Sequence, residues 1–267
     1  MPVLDEIRIY PIKSLPGLLL EEAEVCPKGL KFDRRMMVVD SEGQFMTQRT
    51  EPLLSQFKVE LKGQQIVIHS RVLEGQTIQV SVQEKEKAGK IEKAVVWDDE
   101  VEVIGISSEA DEFFSAHLGR RCRLVQFPET AMRAVDPDYA IGADQVSLAD
   151  GFPFMMVSKE SLTDLNNRLN SSVVMERFRP NFVISGIPPY GEDNLKNFVI
   201  GEVQFSGVKP CSRCNLITID PVTGISGKEP LATLSAYRRR GGKIYFGQNL
   251  IARSYGFIKK GDVVAQQ

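Results

Sequence analysis

The sequence is poor in the residues that most enzyme chemistry relies on. Of its 267 residues four are cysteine, two histidine and one tryptophan. Cys26, Cys122, Cys211 and Cys214 are too few and too scattered for a disulfide scaffold, so reduced thiols in a cytoplasmic protein are the expectation. No window approaches about 18 uninterrupted apolar residues, which argues against a membrane span. The opening MPVLDEIRIYPIK has no apolar stretch behind basic residues and does not read as a signal peptide. Neither sign of charge is in excess: 33 Lys and Arg against 35 Asp and Glu leave −2. That balance implies no polyanion partner and disfavours bulk nucleic-acid binding. Glycine-rich phosphate loops of the Walker or dinucleotide type are missing. With two histidines and no G-x-S-x-G elbow, Ser-His-Asp hydrolysis is disfavoured as well.

What is present is mostly strand. LDEIRIYPI alternates until Pro11. RMMVVDSEGQFMTQR reads as a hairpin around Ser41–Gly43, and FKVELKGQQIVIHS as another turning near Gly63. TIQVSVQ, KAVVWDDEVEVIG, FVIGEVQFSG, NLITID and GDVVAQ continue the pattern. Three segments read as helices: Ser107–Leu118 and Ser158–Leu169, each opened by a serine cap, and Glu229–Arg239, with Pro230 in its first turn. The fold class is therefore mostly β with a few helices (α+β). The segment FPETAMRAVDPDYAIGADQ, residues 127–145, is the best boundary. It divides a β-rich unit of residues 1–125 from a second of residues 126–267, with no flexible linker between them.

Cys211 and Cys214, three positions apart in KPCSRCNLITIDPVTG, admit four uses. Zinc wants about four clustered ligands, and no second pair exists, since His69 and His117 read as structural. A thioredoxin-like dithiol wants a helix after its first cysteine, and NLITID reads as strand. Two small half-buried residues with no role remain possible, but that explains the intervening Ser212 and Arg213 poorly. A basic residue and a hydroxyl between thiols favour thiolate, which suits a soft, high-valent metal.

Cations and small polar residues recur at strand edges. Lys13 and Ser14 follow Pro11, Arg34 and Arg35 precede an apolar strand, and Arg177, Arg179 and Asn181 precede another. Each alone reads as an ordinary solvated strand end. Together they could hold an anion by side chains drawn from several strands. The run YRRRGGK reads as a solvated helix end, or as a docking patch for an acidic partner. Asp33, Asp150, Glu192 and Asp193 are candidate proton donors or substrate anchors, each explained equally by a turn or a surface.

The stretches IYPIKSLPG, LKFDRRMMVVD, FMTQRTEP, SLADGFPFMMVSKESLTDLN, FRPNFVISG, VKPCSRCNLITIDPVTG, KEPLATLSAYR and FGQNLIARSYG, in this order and spacing, resemble the MOSC (molybdenum cofactor sulfurase C-terminal) family with its N-terminal β-barrel companion. They look most like the branch that reduces amidoximes and other N-hydroxylated bases. The resemblance runs from about residue 3 to about residue 264.

It implies a MOSC-type β-barrel preceded by a β-barrel-like domain, and a molybdenum–molybdopterin cofactor. By matching motif, Cys214 would be the thiolate on the metal and the catalytic centre. Lys13, Ser14, Arg34, Arg179, Asn181, Ser212 and Arg213 would hold the pterin or its phosphate, and Gly151 would add a backbone contact. Asn249 would be a final cofactor contact, at a position where animal relatives carry a tyrosine. The role of Cys211 stays open. The implied activity is two-electron reduction of R–NHOH to R–NH2, with a cofactor or sulfur carrier as the alternative. Some relatives carry a C-terminal ferredoxin module with four cysteines. No such cysteines follow here, so a separate ferredoxin- or flavin-type donor is expected, docking at Arg238, Arg239 and Arg240.

Overall fold

The alternation of LDEIRIYPI becomes the strand Val3–Ile9, which lies beside a strand from the far half of the chain, Phe182–Ser185. The computed structural model describes residues 1–82 and 90–267. Val3–Ile9 belongs to a nine-stranded sheet ordered Val264–Gln266, Asn197–Ile200, Val203–Arg213, Lys243–Ala252, Phe154–Ser158, Phe182–Ser185, Val3–Ile9 and Leu18–Leu20, with Arg239–Arg240 added beside Lys243–Ala252. Its pairings are antiparallel except that of Phe154–Ser158 with Phe182–Ser185. The amide of Leu4 donates to Asp262 O at 2.9 Å and that of Val264 to Pro2 O at 2.9 Å. These bonds close the sheet into a barrel, which leaves fewer bare edges.

Period-two alternation sends Leu4, Phe154, Phe182, Phe198, Phe205 and Leu250 to the inside. Phe205 sits within 6 Å of three other rings: Phe154 at 5.5 Å, Phe182 at 5.4 Å and Phe198 at 5.8 Å. Outside, Val157, Val183 and Phe246 pack under helices α2 (Lys159–Asn166) and α3 (Leu231–Tyr237). The strand Lys243–Ala252 changes face at Gly247, with φ +84, where a Cβ would stand 2.6 Å from Met156 O. Only glycine fits there.

The N-terminal half adds two smaller sheets. One is a meander of Phe57–Lys62, Gln65–Ser70 and Thr77–Ser81. The other runs Met36–Asp40, Cys122–Gln126, Asp99–Gly105, Ile91–Val96. Helix α1 (Ser108–Leu118) is capped by Ser107, whose hydroxyl accepts from the Ala110 amide, and it buries Phe113 and Phe114 against the meander. The last residue of TIQVSVQ, Gln83, lies outside the described residues. Residues before Cys26 pair with the far half of the chain, Val3–Ile9 with Phe182–Ser185 and Glu22–Cys26 with Gly256–Lys259. Residues 127–145 carry no strand or helix between the two halves.

Three local expectations are corrected. NLITID is not a strand: Asn215–Thr218 forms a 3-10 turn. The register slips between Pro210 and Ser212, and Ile217 turns inward to join the cluster under α3. Phe45 returns beside Val39 in a single bridge, after which Thr47–Arg49 leaves the sheet. Arg238 is not a solvated helix end. It is 8% exposed, donates to Asp193 Oδ2 at 2.6 Å and lies 4.2 Å from the Tyr190 ring.

Truncating Phe205 would open a void among the three remaining rings. Phe205→Ala is expected to lower unfolding stability by about 3–5 kcal/mol, read as a shift in denaturant midpoint. A loss under about 1 kcal/mol would show that this core collapses around the gap.

Candidate functional site

Where the barrel strands end, seven chain segments converge on an open cleft. They bring Lys13 and Ser14, Arg34, Thr47 and Arg49, Asp150 to Phe152, Phe178 to Asn181, Cys211 to Leu216, and Asn249. The frame beneath is a single buried carboxylate. Asp33, 0% exposed, accepts from the Tyr10 amide at 2.7 Å, from Arg34 Nη1 at 2.6 Å and from Asn181 Nδ2 at 3.0 Å. Arg34 Nη2 reaches on to Arg179 O at 3.1 Å, and the Arg34 and Arg179 guanidiniums each lie 4.2 Å from the Tyr10 ring centre.

The backbone is bent to this purpose. Ser14, Arg34 and Arg179 have φ of 69°, 48° and 55°, a region that costs side-chain-bearing residues and that proteins keep where the surroundings over-determine it. All three line the cleft.

Five cations line the cleft, Lys13, Arg34, Arg49, Arg179 and Arg213, against one carboxylate, Asp150. Lys13 is 5% exposed and donates to Leu148 O at 2.8 Å and Asp150 Oδ1 at 2.6 Å. Burial pushes the Lys13 ammonium below the ordinary lysine range, and Asp150 only partly restores it. Burial works to raise the Asp150 carboxyl, but Lys13, Arg49 and the Trp97 N–H outweigh it and hold it well below the usual carboxylate range. Asp150 is thus an ionised anchor for Lys13 rather than a proton donor. Burial, then the neighbouring Arg34 charge, bring Arg179 down to about 10. Arg133 fixes the 147–150 loop by donating to Ser147 O at 3.0 Å, Ala149 O at 2.5 Å and Asp150 O at 3.1 Å.

Cys214 is exposed and Cys211 half-buried, and both line the cleft. Burial raises the Cys211 thiol. Arg213 donates to Phe246 O at 2.8 Å, Phe178 O at 2.9 Å and Met155 Sδ at 3.2 Å.

Of the residues singled out in the sequence, Lys13, Ser14, Arg34, Gly151, Arg179, Asn181, Arg213, Cys214 and Asn249 meet here. Ser212 does not: strand alternation sends Cys211 and Arg213 into the cleft and leaves Ser212 exposed and outside the lining. Asn181 lines the cleft while its side chain serves the frame, donating to Arg8 O at 3.1 Å and Asp33 at 3.0 Å and accepting from the Met155 amide at 3.3 Å. Glu192 is buried away from the cleft, accepting from Ser158 N at 3.2 Å and Ser161 Oγ at 2.9 Å. Asp193 pairs with Arg238 at 2.6 Å and Arg240 at 2.9 Å. Sequence reasoning missed Arg49, Thr47, Phe152, Met155, Phe178 and Leu216 as lining. Arg49 lay in the quoted stretch FMTQRTEP, but nothing in its spacing marked it.

Two family descriptions match, "MOSC N-terminal beta barrel domain" over residues 1–121 and "MOSC domain" over residues 143–265. Mitochondrial amidoxime-reducing component 1 of Homo sapiens is 34% identical over 97% of this chain and 81% of its own length. Mitochondrial amidoxime reducing component 2 of Rattus norvegicus is 32% identical over 88% and 72%. Molybdenum cofactor sulfurase of Oryza sativa is 33% identical over 97% of this chain but only 33% of its own length.

The Asp33 hub predicts a stability cost with a specific signature. Asp33→Ala would strand the Arg34 charge and the Asn181 amide, and is expected to destabilise the fold by about 3–5 kcal/mol. Asp33→Ala with Arg34→Met should recover part of that loss in denaturant unfolding. Strict additivity of the two substitutions would show that the pair is not coupled.

Proposed function

From the premise that the chain belongs to the MOSC family, as a MOSC domain joined to its N-terminal β-barrel domain, we propose that it is a molybdenum-cofactor-dependent reductase of N-hydroxylated compounds supplied with electrons by a separate donor protein. The observation that carries the reading is one exposed thiol, Cys214, in a cleft with five cations and one carboxylate. Among the described residues no three His, Cys, Asp or Glu side chains gather to hold a metal by themselves. A metal suited to this cleft brings its own chelator and takes one protein sulfur. A pterin dithiolene with its phosphate is anionic, as the lining requires.

Cys214 Sγ is the atom assigned to the molybdenum. Lys13, Ser14, Arg34, Arg179 and Arg213 are assigned to the pterin and its phosphate, Gly151 to a backbone contact, and Asn249 to a final contact from the neighbouring strand. Gly151 leaves room, since a Cβ there would meet nothing within 4 Å. When bound, the cofactor supplies a two-electron couple, and the balance is R–NHOH + 2e⁻ + 2H⁺ → R–NH2 + H2O. The chain orients the substrate and offsets negative charge. Asp150 keeps Lys13 Nζ in place.

In protein made by a host that produces the cofactor, elemental analysis should find molybdenum near one per chain. Benzamidoxime should be reduced with a chemical reductant. Cys214→Ser is expected to cut that turnover at least ~100-fold, while Cys211→Ser retains metal-dependent turnover. The reverse pattern would move the metal to Cys211.

The similarity to the rice sulfurase over nearly this whole chain favours a second reading, a carrier of the cofactor or of sulfur. Stoichiometric cofactor without turnover of any amidoxime would select it.

The donor is assigned to the basic hairpin after α3. Arg239 pairs with Ile244, which pairs with Arg213, next to Cys214. Two strand spacings, about 10 Å, separate Arg239 from Arg213. Arg238 is turned inward, so Arg239, Arg240 and Lys243 present the charge. The double variant Arg239→Glu with Arg240→Glu should slow turnover driven by an acidic protein donor about tenfold at low salt and spare turnover driven by a chemical reductant. Equal loss in both assays would remove the docking site.

A further inference from the structure

The hairpin Ile91–Val96 to Asp99–Gly105 turns through Trp97 and Asp98, and Trp97 has φ 58°. Such two-residue turns favour Gly, Asn or Asp at positive φ. The chain's one tryptophan takes a strained position that glycine would hold without cost. Its surroundings supply a reason. The indole Nε1 donates to Asp150 Oδ1 at 3.2 Å, and the ring packs on Phe45 at 5.0 Å. The Arg49 guanidinium lies 4.0 Å from the indole centre. Arg49 and Asp150 line the cleft that holds Cys214, and Trp97 remains 37% exposed.

The other lining cations are engaged. Lys13 pairs with Asp150 and Arg34 with Asp33. Arg213 spends its donors on Phe246, Phe178 and Met155, and Arg179 Nη1 donates to Leu15 O at 2.7 Å. Among the described residues, the Arg49 side chain makes only a 3.4 Å hydrogen bond to Thr47 Oγ1 and no direct ion pair, its charge acting on Asp150 from beyond pairing distance. A guanidinium held flat on an indole keeps its edge free for a planar acceptor.

We propose that Arg49 and Trp97 form a substrate-selecting wall of the cleft, in which Arg49 receives a carboxylate carried by the N-hydroxylated substrate and Trp97 positions Arg49. The proposal deepens the functional reading above and rests on it for the substrate's N-hydroxylated end. It makes the N-terminal half a specificity element rather than a support.

The test compares 4-carboxybenzamidoxime with 4-aminomethylbenzamidoxime, isosteres of opposite charge, on the holoenzyme. The wild type should show a KM about tenfold lower for the carboxylate, one charge pair's worth. Arg49→Gln should bring the two KM values together, with the change in KM rather than in the kcat ratio. Trp97→Ala should do the same, and Trp97→Phe, which keeps a ring under the guanidinium, should restore the preference. A KM ratio unmoved by Arg49→Gln overturns the proposal. So does loss of molybdenum from that variant, which would make Arg49 a cofactor ligand. Because Trp97 is the only tryptophan, its fluorescence reports binding without turnover. Saturable quenching that is stronger for the carboxylate and absent in Arg49→Gln supports the proposal, and equal quenching by both probes overturns it. If no amidoxime is reduced at all, the functional reading fails, and this titration still decides the wall.

Discussion

The whole cleft depends on one carboxylate with no exposure to solvent. Burying an anion is costly, and it is tolerated only when its lone pairs are filled and a cation is at hand. Asp33 meets both conditions with groups far apart in sequence: the amide of Tyr10, the guanidinium of Arg34 and the amide of Asn181. The result is a fixed origin from which the functional surface is measured. Arg34 extends it to the Arg179 carbonyl, and the Tyr10 ring supports both guanidiniums. Burial is the larger cause of the lowered proton affinity of Arg179, and repulsion from the nearby Arg34 charge adds to it. Such repulsion holds an unfavourable charge density in place for an anion to relieve.

This arrangement also ties together the halves that lie on either side of residues 127–145. The strand Val3–Ile9 leads directly into Tyr10, Lys13 and Ser14, and it is bonded into the barrel by Phe182–Ser185. Residues that begin the N-terminal half therefore reach the cleft along a strand of the C-terminal barrel. From the other direction, Thr47 and Arg49 reach the same cleft, with Trp97 packed against Arg49. Asp150 joins the two by accepting from both Lys13 and Trp97. The cleft is an interface between halves, a setting where ligand sites are common.

What could be read from the sequence was local. Ser107 and Ser158 announced their helices because an N-cap is a contact within three residues, and both caps form. The Gly63 turn was legible for the same reason. The path of NLITID was not, since it depends on a register slip in Val203–Arg213 and on a burial site under α3 that no short window contains. Arg238 looked like a solvated end because its partner Asp193 lies 45 residues away. The cations at strand edges were visible one by one, but their meeting around Asp33 is a property of the barrel's closure. Ser212 shows the limit of motif matching: it lies between two cleft residues and points elsewhere, as the pleat demands.

The same pleat separates the roles of the two cysteines. Cys211 points into the cleft from within a hydrogen-bonded strand and packs beside the apolar cluster of Phe178 and Phe246. Burial there raises its thiol, which favours the neutral form. Cys214 stands one residue past the end of that strand, as the cap of the 3-10 turn, and is exposed. There the strand's hydrogen bonds no longer constrain the backbone, and the sulfur stands open to the cleft. Three residues of spacing thus leave one thiol half-buried beside an apolar cluster and its neighbour exposed in the same cationic cleft. The chemical difference between them follows from where the strand ends.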